Sequence, residues 1–325
     1  MTDAAPPRFE QALIVGIGLI GSSFARALSE NNLADAVVGV DADPSVCDRA
    51  VSLGVVSKAH ADLAAAAAGA DLIVIATPVG AAEEVCRILN KSASAGALII
   101  DVGSVKGAVA DAGRRLRDDL HFVPCHPVAG TEQSGPEAGF ASLFDKRWCI
   151  VTPLPREDDA YKAAVAKAKA LWRGVGADVE EMDAAHHDLA LAVTSHLPHL
   201  IAFTLVGAAD DLETVTEAEV VKYSAGGFRD FTRIAASDPV MWRDVFLNNK
   251  EAMLEVLGRF SEELAALQRA IRWADGDTLA KAAARGRSLR RAIIEAGQER
   301  DVPNFGRDED AELRVSDAPE SVRNS

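Results

Sequence analysis

Cysteine is scarce in this 325-residue chain: Cys47, Cys86, Cys125 and Cys149 are all there is. With no CxxC pair and no metal-ligand spacing, a disulfide framework and a thiolate metal site are excluded, and buried reduced thiols in a reducing compartment are expected. Basic charge is also short. Lys and Arg number 34 against 49 Asp and Glu, a formal net charge of -15, so no general attraction to nucleic acid or an anionic membrane is expected. Any anionic ligand must therefore find a local basic site. Long apolar runs are few too, and "LAAAAAGADLIVIATPVGAA" does not read as a membrane span, since Asp71 and Pro78 break it. The stretch "MTDAAPPRFE" lacks the basic-then-apolar pattern of an export signal, so a cytoplasmic location is expected.

What is present alternates. Strand-length apolar runs "ALIVG", "AVVGV", "LIVIAT", "ALIIDV", "HFVPC" and "WCIVT" are separated by segments of helical period up to about residue 180. This is the grammar of a doubly wound parallel sheet with helices on both faces. From Met182 onward no convincing strand appears, and long helical patterns such as "DLALAVTSHLPHLIAFTLVGAAD" take over. The expected organisation is an extension over 1–8, an NAD-binding domain over 9–181, a helical substrate and dimerisation domain over 182–298, and a polar tail over 299–325. Helices so long and apolar need a second copy of the chain to cover them, so a homodimer is expected.

"ALIVGIGLIGSSFARAL" sets Gly16, Gly18 and Gly21 between a strand and a helix, with Leu19 and Ile20 on the same turn. Gly16 permits the tight turn, Gly18 admits a pyrophosphate, Gly21 lets helix and strand close up, and the helix N-terminus offers free N–H groups to the anion. A glycine turn alone is weak evidence, but "AVVGV" ends at Asp41, twenty residues beyond Gly21. A carboxylate there accepts from both ribose hydroxyls and repels a 2′-phosphate, which favours NAD over NADP. Thr77 and Pro78 stand at a further strand end, where they either line the nicotinamide ribose or merely stop the strand.

Ser104 and Lys106 open the helix after "IIDVG", and His126 follows "HFVPC". Neighbouring strand ends can bring a serine hydroxyl to an imidazole, giving a base that takes a hydroxyl proton as hydride leaves the same carbon; the plain alternative is a loop histidine. "VTSHLPHLIAF" embeds Ser195, His196 and His199 in an apolar helix. No cysteine or carboxylate completes a metal set with them, which leaves ligand contact or a satisfied core. In "GGFRDFTRIAASDPVMWRDVF", Arg233 suits a bidentate carboxylate, or else pairs with Asp230. Asp238-Pro239 caps the helix that carries Trp242.

Taken together, "GIGLIGSSFARAL", "DVGSVKG", "HPVAGTEQSG", "VTSHLPH" and "GGFRDFTRIAASDPVMWRDVF", in this order over about residues 10–260, resemble the prephenate (cyclohexadienyl) dehydrogenase family of tyrosine biosynthesis. The resemblance implies a Rossmann domain followed by an all-helical dimerisation domain. It implies oxidation of the ring C4 alcohol of prephenate by NAD⁺ with loss of the ring carboxylate as CO₂, giving 4-hydroxyphenylpyruvate. By the same resemblance His126 polarises or deprotonates the ring hydroxyl, Ser104 supports it, and Arg233 holds a substrate carboxylate. Ser195 and His199 line the pocket, Thr131 and Glu132 stand at its mouth with Glu132 near Asp230, and Trp242 reaches in from a partner subunit. Arogenate in place of prephenate is the open alternative. A β-hydroxyacid dehydrogenase would need a lysine that "HDLALAVTSHLPHL" lacks, and a non-catalytic NAD sensor would not need Ser104, His126 and Arg233.

Overall fold

A computed structural model of the chain describes residues 6–131, 133–211, 219, 222–223 and 225–295. Glu132 and the polar tail lie outside the described residues. By compactness the chain divides at Leu257/Gly258, so the sheet and the first helices that follow it form one unit.

Six parallel strands make the main sheet: β1 (Phe9–Val15), β2 (Ala34–Val40), β3 (Lys58–His60), β4 (Leu72–Ile75), β5 (Leu98–Asp101) and β6 (His121–Val123). Their spatial order is 3-2-1-4-5-6, the doubly wound dinucleotide-binding arrangement. The central strands are buried on both faces, because α1 (Leu19–Glu30), α2 (Pro44–Ser52), α3 (Leu63–Ala67), α4 (Ala82–Ser92) and α5 (Gly107–Gly113) return each strand to the same edge. That burial is why β4 and β5 read as unbroken apolar runs instead of alternating. Asp43 and Asp62 cap α2 and α3 by accepting first-turn N–H groups.

"HFVPC" is two strands, not one. Pro124 has no N–H to give, so the ladder stops at Val123, and β7 (Cys125–Pro127) joins a second sheet with β8 (Trp148–Val151) and β9 (Asp178–Glu181). Packed with α6 (Asp159–Gly174), this second sheet shares the first unit's core. All four cysteines are buried and free, and burial pushes the Cys86 thiol up to about 12.

The long apolar run beyond residue 182 is also interrupted. It forms α7 (Ala184–Leu191), one π turn (Ala192–His196) and α8 (Leu197–Asp210). Next come α9 (Gly226–Thr232), a 3₁₀ turn (Arg233–Ala236) and α10 (Pro239–Asn248), whose N-cap Asp238 accepts from Met241 N–H at 2.7 Å. Asn249 then separates α10 from α11 (Lys250–Arg272). The second unit holds the remainder of α11 and α12 (Gly276–Glu295), where Asp275 caps α12 through Thr278.

Candidate active site

The glycine turn meets all three demands of a dinucleotide. Gly16 has φ +93°, and a Cβ there would stand 2.6 Å from the Ala76 carbonyl oxygen. At Gly21 a Cβ would collide with the Gly16 carbonyl, whereas at Gly18 it would meet nothing within 4 Å. The open space therefore lies where a pyrophosphate approaches, at the N-terminus of α1 with Leu19 and Ile20 in its first turn. Asp41 is anchored from below, accepting from Ile17 N–H at 2.9 Å and Asp43 N–H at 3.0 Å. Thr77 Oγ1 is buried at the end of β4, beside the turn opened by Pro78, with no hydrogen-bond partner among the described residues. An orphaned hydroxyl on the cofactor edge fits a ribose or carboxamide group better than it fits a strand stop.

Beyond β5 a buried ion pair organises the next strand end. Lys106, wholly enclosed, gives its Nζ protons to Asp101 and, at 2.7 Å, to the Cys125 carbonyl. Asp101 in turn accepts from Cys125 N–H at 3.0 Å and Gly103 N–H at 2.8 Å. Both atoms that fix the backbone beside His126 thus hang on one salt bridge. Its partners are satisfied all round, as a buried pair requires.

His126 is 7% exposed. Its Nδ1 lies 2.8 Å from His187 Nε2, and His187 Nδ1 lies 2.8 Å from Asp188 Oδ1. Asp188 also accepts the N–H groups of Lys106 at 2.7 Å and Gly107 at 2.8 Å. Burial pushes the His126 pKa well below its ordinary value, and His187, Lys106 and His196 push the same way. Burial lowers His187 as well, against the pull of Asp188, while the hydrogen bonds to His187 and the Lys106 and Gly107 N–H groups outweigh burial and hold the Asp188 carboxyl down. His126 is therefore a neutral base at pH 7. Ser104, half-buried in the turn after β5, makes no hydrogen bond to His126, whose Nδ1 meets His187 instead. The reason is reach: Asp188 docks on the Lys106 and Gly107 amides and thereby carries α7 up to β7.

Two further histidines have defined tautomers. Asn249 gives one Nδ2 proton to the Asp188 carbonyl at 2.8 Å and the other to His196 Nδ1 at 3.1 Å. His196 is consequently an Nε2–H donor, and that nitrogen is buried near the Ser104 backbone, outside hydrogen-bond geometry. Burial lowers its pKa to about 4. His199 donates from Nδ1 to the Ser195 carbonyl at 2.9 Å; burial lowers its pKa, the Ser195 bond opposes this, and the nearby Arg233 guanidinium lowers it further. The Trp242 indole stacks on His199 of its own chain, centroids 3.6 Å apart, and packs with Val105 and Val245. Within its own chain the indole is 6% exposed. Thr131 is exposed and accepts from Gln133 N–H at 3.2 Å.

The turn after β5, β7, α7, the π turn and α10 therefore converge on His126, with Ser104, His196, His199 and Trp242 around one cleft edge. Sequence reasoning missed Asp101, Lys106, His187, Asp188 and Asn249. Adjacent "HHD" at a helix start was the available signal.

Two family models meet in this chain: prephenate dehydrogenase, nucleotide-binding domain, over residues 24–181, and prephenate dehydrogenase, dimerization domain, over residues 183–284. Cyclohexadienyl dehydrogenase of Zymomonas mobilis is 40% identical over 277 residues, 83% of this chain and 92% of the relative. Prephenate dehydrogenase of Bacillus subtilis is 35% identical, over 82% of this chain and 71% of its own. The crystal structure of Aquifex aeolicus prephenate dehydrogenase in complex with hydroxyphenyl propionate and NAD⁺ superposes with a TM-score of 0.80 at 34% identity, covering 87% of this chain and 98% of that one. With the two family models together spanning residues 24–284 and a relative 40% identical over most of both chains, the chain belongs to the prephenate dehydrogenase family.

Proposed function

We propose that the chain oxidises the ring C4 alcohol of prephenate with NAD⁺ and releases the ring carboxylate as CO₂, forming 4-hydroxyphenylpyruvate. The observation that carries this reading is His126, a buried neutral imidazole held at Nδ1 and without a partner at Nε2 among the described residues. Gly18, Asp41 and Thr77 would hold NAD⁺, which would supply the acceptor for the hydride from C4. His126 Nε2 takes the hydroxyl proton, and Ser104 hydrogen-bonds the same oxygen. Arg233, close to His199, receives a substrate carboxylate, while Ser195, His196 and Trp242 shape the pocket and exclude water. Thr131, exposed in the structure, and Glu132 are assigned to the mouth by resemblance. Once hydride has left, aromatisation drives loss of CO₂, so the protein has mainly to orient C4 and manage one proton.

A second copy covers the helical face. The run Ala184–Ala209 is apolar and long enough to cross a membrane, with 28% of its most apolar window buried. It also carries the buried His187, Asp188 and His196, which lipid would leave costly, and it lies inside the dimerization-domain match. A homodimer without membrane or nucleic acid is the reading that fits, with a cytoplasmic location.

Arogenate is a second reading, favoured by the cyclohexadienyl name of the Zymomonas relative. Steady-state assays of prephenate and arogenate, each with NAD⁺ and NADP⁺, decide between them. NADH formation with prephenate is the expected result, and protein that binds NAD⁺ yet reduces it with neither substrate would end the proposal.

A further inference from the structure

We infer that His187 and Asp188 form a buried positioning relay that fixes His126 as an Nδ1–H tautomer and lends it a place to hold the substrate's proton until that proton is returned. The inference rests on the prephenate reading above and concerns residues to which that reading gives no part.

The tautomers follow from donor and acceptor chemistry. Asp188 is ionised and accepts two backbone N–H groups, so the His187 nitrogen facing it, Nδ1, must carry hydrogen. A neutral His187 then has a lone pair at Nε2. The atom across from it, His126 Nδ1 at 2.8 Å, must be the donor. The lone pair of His126 is left at Nε2, where no group among the described residues competes for it. In water imidazole is free to take either tautomer; here one carboxylate chooses for two rings in series. This is the logic of a base, an orienting group and a third group behind it, lengthened by one histidine.

Proton balance explains why the extra ring matters. Prephenate dianion and NAD⁺ give hydroxyphenylpyruvate monoanion, CO₂ and NADH, with no proton left over. The C4 hydroxyl O–H bond breaks toward His126 Nε2 as the C4–H pair leaves as hydride. When the ring C–CO₂ pair becomes part of the aromatic ring, the oxygen is a phenolate, and it takes the proton back. A base for this cycle has to keep its proton away from solvent for one turnover. In the interval the Nδ1 proton of His126 can shift to His187 Nε2, placing the cation beside Asp188. The charged groups facing the two rings are Asp188 on α7, Asp101 at the end of β5 and Lys106 in the turn after it, and the titratable group is the neutral His196 of the π turn. Lys106 opposes a cation here and the two carboxylates favour it, which suits a transient charge more than a resting one.

Histidine ¹⁵N spectra of the wild-type protein test the tautomer directly, without substrate or cofactor. His126 and His187 should both show protonated Nδ1, and an Nε2–H form at His126 would overturn the inference. In His187→Leu, kcat should fall on the order of 100-fold while KM stays within about threefold, and the acid limb of the kcat profile should move to lower pH, because the His126 imidazolium loses the neutral acceptor at Nδ1 and the Asp188 carboxylate behind it. His187→Gln restores an acceptor that cannot take a proton, so it should recover the tautomer and only part of kcat. Wild-type kcat and pH profile in His187→Leu would equally overturn the relay. Should wild-type protein form no NADH from prephenate, the substrate reading falls, while the spectrum still decides the tautomer.

Discussion

At the residue scale, chemistry and positioning separate cleanly enough to be tested one side chain at a time. His126→Asn keeps a polar group in the same space but removes the base, so kcat should drop by about 10²- to 10⁴-fold with NAD⁺ binding intact; NADH formation and cofactor titration measure the two. Arg233→Ala should instead raise KM for the substrate, since a carboxylate loses a charge-assisted partner. Lys106 acts on neither. Its removal strands Asp101 in the core, and Lys106→Ala should cost about 3–5 kcal/mol in urea unfolding, with the Asp101→Asn/Lys106→Met double variant costing less. His126 and Arg233 were legible because a histidine after a strand and an arginine in an apolar, acidic chain stand out locally. Lys106 was not: nothing in "DVGSVKG" says that a lysine is 0% exposed, because its partners are a strand end and a carbonyl 19 residues away.

Elements were legible where period alone decides them. The six strand runs of the first half were all found, yet β3 and β9 escaped, each short and polar enough to read as a turn. "HFVPC" and the run from Asp188 hid their breaks in the same way, through a proline whose consequence depends on what lies beside it. At Pro198 that consequence is the π turn. The ring has no N–H for the Thr194 carbonyl and crowds it, and the wider turn Ala192–His196 relieves the clash. The inserted register turns His196 toward Asn249 and leaves His199 under Trp242. Pro198→Ala removes the reason for the π turn. A regular helix would rotate both imidazoles, so KM for substrate should rise severalfold while the melting temperature holds or increases; a raised melting temperature with unchanged KM would show that the histidines do not depend on the turn.

For the whole molecule, the buried histidines make stability depend on pH in one direction. His126, His187, His196 and His199 are all pushed below the ordinary value of 6.5 by burial, His196 to about 4. In the unfolded chain each regains its ordinary value. Between pH 6.5 and the lowered values the unfolded state therefore binds protons that the folded state refuses, and unfolding free energy must rise with pH across that window and level off above it. His196 alone, 1.5 pH units below 6.5 at pH 5, removes about 2 kcal/mol there. Asp188 works from the other side of its own window: its lowered pKa adds stability above 3.8, which is lost only as pH falls below that. The two effects are thus separable on one curve. Urea midpoints should be flat from about pH 7 to 8 and decline from pH 6.5 to 4.5, and His196→Asn should flatten part of the decline because a group that never titrates replaces one that must stay neutral. A midpoint independent of pH down to 4.5 would mean that these imidazoles reach solvent, and with it the enclosed proton at His126 would lose its physical basis.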